Sequence, residues 1–193
     1  KIEKINFLFN IKKNNFNFRE ISFDTNNINF LSDRLSIKKN KKDYLLEGNI
    51  RNKNSPLNDQ LFQIIKLKYP QFDLIDTNFE SENDFLFNIN NKFKIKNLKI
   101  NSSILIDSSQ FKKNNLISEK FIKINELIDL KNHKIKASYA NKKLSIEGKG
   151  QIKLQNKFEI INYKIINIGS DLNLVSNIEL SELDIKNQNL IKE

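Results

Sequence analysis

The 193-residue chain contains no cysteine, methionine or tryptophan, and it has only four glycines, two prolines and one histidine. Without cysteine it can form neither a disulfide framework nor a thiolate metal site. Four glycines are too few for a dinucleotide fingerprint, and no glycine-rich loop precedes a Lys-Ser or Lys-Thr pair. Tight turns must therefore depend on asparagine, aspartate and serine, and the Asn-Asn pairs at 14–15, 26–27, 90–91 and 114–115 are predicted turns.

Long apolar runs are also missing. No stretch approaches the roughly 18 uninterrupted apolar residues that a membrane helix needs. The sequence begins at Lys1 and lacks the charged leader and apolar run of a signal peptide. We therefore expect an internal segment of a longer protein, with any membrane anchor supplied by other parts of the parent chain.

Groups that could support catalysis are sparse. The single histidine, His133, has lysine at positions 131 and 134 and no carboxylate pair beside it, which predicts an exposed strand residue. Glu80, Glu82 and Asp84 form the densest acidic group and would share one face of a strand. Calcium loops bring more oxygen ligands and a glycine turn, so a solvated acidic surface is favoured over a cation site. We expect no enzyme, no metal and no cofactor.

What the chain does have is an apolar residue at every second position, over most of its length. Successive side chains of a strand point to opposite faces, so each such run has one apolar and one polar face. This pattern predicts a mainly β protein built from a long antiparallel sheet. Clear examples are Ile5, Phe7, Phe9 and Ile11; Phe85, Phe87 and Ile89; and Ile135, Ala137 and Tyr139.

The formal charge of +10 raises the question of nucleic acid as a partner. The lysines are evenly spread and alternate with apolar residues, as at Lys92, Lys94, Lys96 and Lys99. Lysine on the exposed face of a strand discourages aggregation between sheets. We therefore expect a solvated face and no nucleic-acid partner; strongly salt-dependent binding to an oligonucleotide would reverse that view.

The alternation divides the chain into two strand blocks. The alternation over residues 1–53 predicts five or six strands, in which 16–23 forms either one bent strand or two short ones. At 56–68 the apolar spacing becomes helical after Ser55 and Pro56, a good cap and a good first-turn residue, which predicts one short amphipathic helix. Strands resume over 72–193, with an ambiguous stretch at 115–130. The predicted fold is an elongated, twisted sheet forming an open groove or half-barrel, with the helix plugging or capping it.

A weak internal repeat joins the two blocks. The strand at 43–50 and the run at 144–152 each contain a Glu-Gly pair, Glu47-Gly48 and Glu147-Gly148. Glycine inside a strand often marks a bulge or a close approach. Either a repeated strand-bend unit or chance similarity explains two matched dipeptides.

Two regions resemble the AsmA-like family of bacterial envelope proteins, and in particular its large YhdP-type members. The runs are FNINNKFKIKNLKI at 87–100, HKIKASY at 133–139 and LSIEGKG at 144–150. The resemblance implies a segment of a periplasmic bridge whose parent chain is anchored in the inner membrane. It further implies an apolar groove that carries phospholipid between the inner and outer membranes and supports envelope integrity and outer-membrane biogenesis.

Under this resemblance the expected partners are phospholipid acyl chains and, through parent-chain regions outside this sequence, the inner membrane. A lipid groove and a closed β core need the same inward residues, so the alternative is a structural or adhesive β-repeat module of a surface protein. The residues predicted to contact acyl chains are Phe85, Phe87, Ile89, Phe93, Ile95, Ile135, Ala137, Tyr139, Leu144 and Ile146.

Overall fold

The computed structural model describes residues 2–40, 42–57, 74–112, 124–169 and 171–181. These residues form strands and connections, and no helix occurs among them. The strands are β1 (Ile2–Lys12), β2 (Asn15–Thr25), β3 (Ile28–Asn40), β4 (Asp43–Pro56), β5 (Leu74–Ile75), β6 (Asn78–Asn90), β7 (Ile95–Lys112), β8 (Leu127–Ala140), β9 (Lys143–Lys153), β10 (Glu159–Ile168) and β11 (Asp171–Glu179).

All strands belong to one antiparallel sheet that follows chain order, β1-β2-β3-β4-β6-β7-β8-β9-β10-β11, with the short β5 paired to β7. β1 and β11 form the two edges, and they do not pair with each other. The sheet is therefore open. The backbones of the described strands come within 8 Å (Cα to Cα) only of their hydrogen-bonded neighbours, so the described strands form a single layer.

Residues directly opposite each other in an antiparallel pair lie on the same face, which lets the register be followed across the sheet. One such row crosses from β1 to β10 and is almost wholly apolar: Phe9, Phe18, Leu35, Gly48, Phe85, Ile100, Tyr139, Leu144 and Asn167. We call this side the apolar face. The row on the other side from β4 to β10 is Arg51, Glu82, Ser103, Lys136, Glu147 and Lys164, and we call this side the polar face.

Several strands are kinked by a residue with positive φ. Glu20 (φ 51°) interrupts β2, so the stretch 16–23 is one bent strand, and the block 1–53 holds four long strands instead of the predicted five or six. Asn97 (φ 53°) and Asn132 (φ 53°) lie beside register shifts in β7 and β8. Such bulges bend a strand and increase its local twist.

The Glu-Gly repeat has a clear structural meaning. Gly48 lies opposite Phe85 and Gly148 lies opposite Tyr163, in both cases on the apolar face. A Cβ atom on Gly148 would lie 2.1 Å from a ring carbon of Tyr163, and one on Gly48 would lie 2.9 Å from the ring of Phe85. Each glycine therefore leaves room for an aromatic ring from the neighbouring strand to lie against the sheet.

The prediction that a helix begins at 56 is wrong. Ser55 and Pro56 are the last residues of β4 and lie opposite Phe79 and Asn78 of β6. Proline is tolerated there because it ends the strand, where the ladder no longer needs its missing N–H. The remainder of the predicted helix, 58–68, lies outside the described residues, as do the Asn-Asn turn at 114–115 and most of the ambiguous stretch.

Phe93 was predicted to continue the strand pattern into Ile95, and this too is wrong. The chain turns between β6 and β7, and the side-chain oxygen of Asn90 accepts hydrogen bonds from the backbone N–H groups of Lys92 (3.0 Å) and Lys94 (2.9 Å). Phe93 has a φ of 55° and is 84% exposed. The asparagine turn predicted here is confirmed, and it takes precedence over the alternation because its local hydrogen bonds reverse the chain.

Candidate functional site

The sheet brings nine of the ten predicted lipid-contact residues together on the apolar face of four consecutive strands, with Phe93 in the turn at their edge. Phe85, Phe87 and Ile89 lie on β6 and Ile95 lies on β7. Across β8 and β9, Tyr139 lies opposite Leu144 and Ala137 opposite Ile146, with Ile135 next along β8. Eight of these residues are half-buried, whereas Ile95 (55%) and Phe93 (84%) are exposed.

The apolar face is much larger than this set. β7 supplies Ile100, Ile104 and Ile106 between the predicted strands, and β4 supplies Tyr44 and Leu46. The spacing of these residues by multiples of two already indicated in the sequence that they share one face of a strand. Only the strand order, however, shows that they fill the space between β6 and β8.

Aromatic rings extend the face toward β1. The ring of Phe18 lies 5.5 Å from that of Phe7 and 6.3 Å from that of Phe9, measured between centroids. Further along β2, the ring of Phe23 stacks on that of Phe30 at 5.4 Å. These contacts give the first three strands an aromatic lining that no predicted site residue covered.

Few apolar side chains are fully buried. Among the described residues only Ile28, Ile128 and Ile152 form the buried hydrophobic core, and Ile128 packs on Ile152. A two-layer sandwich of this size would bury many residues from each inner face. The described strands therefore leave most of the apolar face half covered.

Buried polar side chains also lie on the apolar face, and Asn52 and Ser81 form a hydrogen-bonded group there with the half-buried Asn83. The Ser81 hydroxyl donates to the side-chain oxygen of Asn52. Asn83 donates to the Ser81 hydroxyl (2.9 Å) and to the Ile50 carbonyl (3.1 Å), and Asn52 donates to the Phe79 carbonyl (3.1 Å). With their polar atoms satisfied, these residues can sit within an apolar surface at little cost.

His133 is also buried on the apolar face, so the prediction of an exposed histidine is wrong. It is 3% exposed, and its Nε2 lies 2.9 Å from the Gln151 carbonyl oxygen. A carbonyl can only accept, so Nε2 carries the proton and Nδ1 accepts from the Tyr163 hydroxyl at 3.4 Å. Gly150 provides the space, because a Cβ there would lie 2.4 Å from the His133 ring.

Burial shifts the pKa values of His133 and Tyr163 in the directions that favour the neutral form of each side chain. Desolvation lowers the pKa of His133 below 6.5, with the hydrogen bond to Gln151 acting in the opposite direction. Desolvation raises the pKa of Tyr163 to about 12. The pair is therefore neutral near pH 7, and it can fix the geometry of the face without adding a charge to it.

The polar face carries the ionic groups. The Nζ atom of Lys164 lies 2.6 Å from the Glu147 carboxylate, and both side chains are about half exposed. This contact lowers the pKa of Glu147. A hollow of about 550 Å³ also opens on this face, with Glu82, Lys136 and Glu147 among its lining residues, so it lies on the opposite side of the sheet from the predicted lipid contacts.

The acidic group Glu80, Glu82 and Asp84 lies exposed on the polar face of β6, opposite Leu105, Ser103 and Asn101. In the part of the chain that the structure describes, no cluster of three or more histidine or carboxylate side chains has the geometry to hold a metal ion. The described residues likewise include no helix with the length and hydropathy to cross a bilayer.

Comparisons with family models, with curated proteins and with solved structures gave no match to this chain. The geometry of the sheet is therefore the structural basis for inferring what this chain does.

Proposed function

We propose that this chain is a non-enzymatic segment of an AsmA-like periplasmic protein, and that its apolar face holds the acyl chains of phospholipid during transport between the inner and outer membranes. The observation that carries the proposal is the continuous apolar face of an open, single-layer sheet. The resemblance at 87–100 and 133–150 supplies the expected envelope location and the inner-membrane anchoring of the parent chain.

The energetics favour an acyl chain as the occupant. Removing hydrocarbon from water stabilises by roughly 0.8 kcal/mol per CH2 group and needs no directional contact. The rows of isoleucine, phenylalanine and leucine from β1 to β11 supply such a surface. The polar atoms of Asn52, Ser81 and His133 are engaged within the protein, so they do not demand a polar ligand.

The distribution of burial distinguishes the two faces of the sheet. Here the buried strand residues, including Asn52, Ser81, His133, Ile152 and Glu159, share the apolar face, while the charged row on the other side is mostly exposed. We therefore treat the apolar face as the inside of an open groove, along which lipid can move from strand to strand.

The test is binding of a fluorescent phospholipid to the purified chain and to Phe87→Asp. A carboxylate in the middle of the apolar face must be desolvated by any bound acyl chain, so lipid binding should fall at least about tenfold. The matched control is Leu86→Asp, which places the same charge one residue away on the polar face of β6, opposite Lys99. The control should bind lipid as the unmodified chain does.

Equal loss of binding in the two variants would reject the groove, because it would show that the charge acts without regard to face. Equal retention of lipid binding in the Phe87→Asp and Leu86→Asp variants would also reject the groove. Circular dichroism of each variant shows whether strand content is kept. A folded chain that binds no phospholipid would favour the alternative, a structural or adhesive module.

A further inference from the structure

Lysine is concentrated in the hairpin turns at one end of the sheet. Five hairpins turn at this end: β1–β2, β3–β4, β6–β7, β8–β9 and β10–β11. The sequences of their turns, at 13–14, 41–42, 91–94, 141–142 and 169–170, contain no aspartate or glutamate, and the first four contain lysine. We call this end of the sheet the basic rim, and its described turn lysines are Lys13, Lys42, Lys92, Lys94 and Lys142.

The charge of the basic rim is available to an anion. All five lysines are exposed, and none of them forms an ion pair with a carboxylate in the described part of the chain. The opposite end of the sheet differs, because three of its connections, 26–27, 76–77 and 154–158, together hold one lysine, Lys157, and one carboxylate, Asp76. Positive charge is therefore gathered at one end of the strands, where it raises the local concentration of anions.

The turns of the basic rim recur along the sheet. Neighbouring strands lie about 4.8 Å apart, so consecutive hairpins, which are two strands apart, place their turns about 10 Å from one another. The register puts the β3–β4 and β6–β7 turns at the same level, because Asp43 lies opposite both Asn40 and Asn90. The row of positive groups therefore follows the direction in which the apolar face passes from strand to strand.

A belt of apolar side chains begins directly beside the basic rim. On β6, Ile89, Phe87 and Phe85 follow one another away from the turn, and Asn83 ends the run opposite Ser102 of β7. We call this part of the apolar face the apolar belt. It extends about 20–25 Å from the turn, whereas the hydrocarbon of one bilayer leaflet is about 15 Å thick. An acyl chain that starts at the basic rim can therefore lie wholly on apolar side chains.

Phe93 brings an apolar ring into the basic rim itself. It lies between Lys92 and Lys94 in the chain and is 84% exposed. The side chain of Asn90 fixes this turn, because it accepts hydrogen bonds from the backbone N–H groups of both lysines. An exposed ring beside two ammonium groups suits the boundary between a lipid head group and its acyl chains, where charged and apolar parts of the lipid meet.

We propose that the basic rim holds the phosphate groups of anionic phospholipids while their acyl chains lie on the apolar belt. The acyl chains supply binding that is common to all phospholipids. The lysines supply a preference, because a zwitterionic head group cancels its own charge and gains less from them. This inference rests on the proposed function and names the class of phospholipid that the groove prefers.

The test measures which lipid the chain extracts from a mixed bilayer. The vesicles contain equal amounts of phosphatidylglycerol, which is anionic, and phosphatidylcholine, which is zwitterionic, with identical acyl chains. Both lipids are presented on one surface, so different rates of encounter cannot cause a difference in bound lipid. After separation from the vesicles, native mass spectrometry should find at least about fivefold more phosphatidylglycerol than phosphatidylcholine on the chain.

Two variants that lose the same number of charges locate the preference. The rim variant combines Lys42→Gln, Lys92→Gln, Lys94→Gln and Lys142→Gln. The control variant removes four lysines from the polar face of β8 and β9, through Lys131→Gln, Lys134→Gln, Lys136→Gln and Lys149→Gln. The rim variant should extract the two lipids in nearly equal amounts, and the control variant should keep the preference. Circular dichroism shows whether each variant retains its strand content.

Equal extraction of the two lipids by the unmodified chain would overturn the head-group site and leave the apolar groove in place. Loss of the preference in both variants would also overturn it, because the effect would follow net charge and not position. A chain that extracts neither lipid would reject the proposed function, and the head-group site with it. A chain that stays on the vesicles and carries no lipid would overturn the site in favour of docking to a membrane surface.

Added solutes give two further tests of the head-group site. Glycerol 3-phosphate has the phosphate without acyl chains, so an excess of it should leave the lipid ratio unchanged; a fall in the ratio would indicate a site for soluble phosphate instead. Raising the ionic strength from about 0.1 M to about 1 M shortens the Debye length from about 10 Å to about 3 Å and should bring the lipid ratio toward one. A ratio that does not respond to salt would contradict a preference based on charge.

Discussion

At the scale of single residues, the contact between Gly148 and Tyr163 gives a test of packing on the apolar face. A Cβ at 148 would overlap the Tyr163 ring, the nearest side chain to it. Gly148→Ala should therefore lower the free energy of unfolding by about 1–3 kcal/mol, as overpacking does. Urea denaturation followed by circular dichroism measures the change.

The same substitution in a Tyr163→Ala background provides the control. With the ring removed, the added methyl group has space, and alanine costs less backbone entropy than glycine in a strand. Gly148→Ala should then cease to destabilise the chain. An equal cost in both backgrounds would contradict the ring-on-glycine contact.

His133 predicts a specific pH dependence. Burial holds its pKa in the folded chain below the ordinary value of 6.5, so the unfolded chain binds a proton more readily. The stability it contributes is complete above pH 6.5 and is lost as the pH falls from 6.5 through the folded-state pKa. Denaturant titrations between pH 7.5 and pH 5 should show this loss, and His133→Gln should remove that component. An unchanged slope in the variant would mean that other groups cause it.

Residue-scale burial was the hardest property to predict. His133 has lysines at 131 and 134 and reads locally as exposed. Its position is decided by Gly150 and Tyr163, which neighbouring strands bring against it from far along the chain. The spacing of residues along the chain carries no information about such contacts between strands. The Glu-Gly repeat indicated positions of close approach only because glycine is rare in this sequence.

At the scale of elements, the turn between β8 and β9 is built by Asn141 and Lys142, both with positive φ (52° and 62°). This is the backbone of a two-residue hairpin turn, for which Asn-Gly is strongly preferred. Lys142→Gly should raise the free energy of unfolding by about 1 kcal/mol, because it removes the steric cost of a side chain at positive φ.

Lys143→Gly is the matched control for this turn, since it removes the same side chain one position later, inside β9. It should lower the free energy of unfolding by about 0.5–1 kcal/mol, the usual cost of glycine in a strand. Stabilisation by both variants, or by neither, would contradict the assigned turn.

Turns and strands were largely predictable because their causes are local. The Asn-Asn pair at 26–27 has positive φ at both residues (51° and 62°), and alternation located most of the sheet. Errors arose where two local signals competed. Ser55 and Pro56 are typical of the start of a helix, but here they end strand β4. At Phe93 an asparagine turn interrupts a run of alternating apolar residues.

At the scale of the whole molecule, the apolar face is one continuous surface, so distant positions should affect the same property. Phe18→Asp on β2 and Ile165→Asp on β10 lie near opposite edges of the sheet. If lipid occupies the face along its length, each should reduce the number of phospholipids bound per chain. Quantitative lipid extraction measures this number.

The control for β2 is Asn17→Asp, which adds a charge on the polar face beside Phe18, opposite Ser36. It should leave the lipid number unchanged. A reduction limited to variants on β6–β9, with Phe18→Asp and Ile165→Asp normal, would confine the site to the central strands and contradict a groove that spans the sheet.

The antiparallel sheet as a whole followed from the alternation, but its openness did not. A closed sandwich and an open groove require the same inward residues, such as Phe85 and Ile146. The distinction depends on whether a second layer covers them, which only the arrangement of all strands reveals. In the described residues, Cα atoms of different strands come within 8 Å of one another only where the strands are hydrogen-bonded neighbours, so no second layer of described strands covers the face.

The most direct test of the central claim is native mass spectrometry, with lipid extraction, on the chain purified without detergent. A chain whose apolar face lines a groove should carry phospholipid from the expression host, and Phe87→Asp should not. Phospholipid on the unmodified chain that disappears in Phe87→Asp but persists in Leu86→Asp is the predicted result. A folded, lipid-free chain, or lipid retained equally in all three proteins, would contradict the lipid groove.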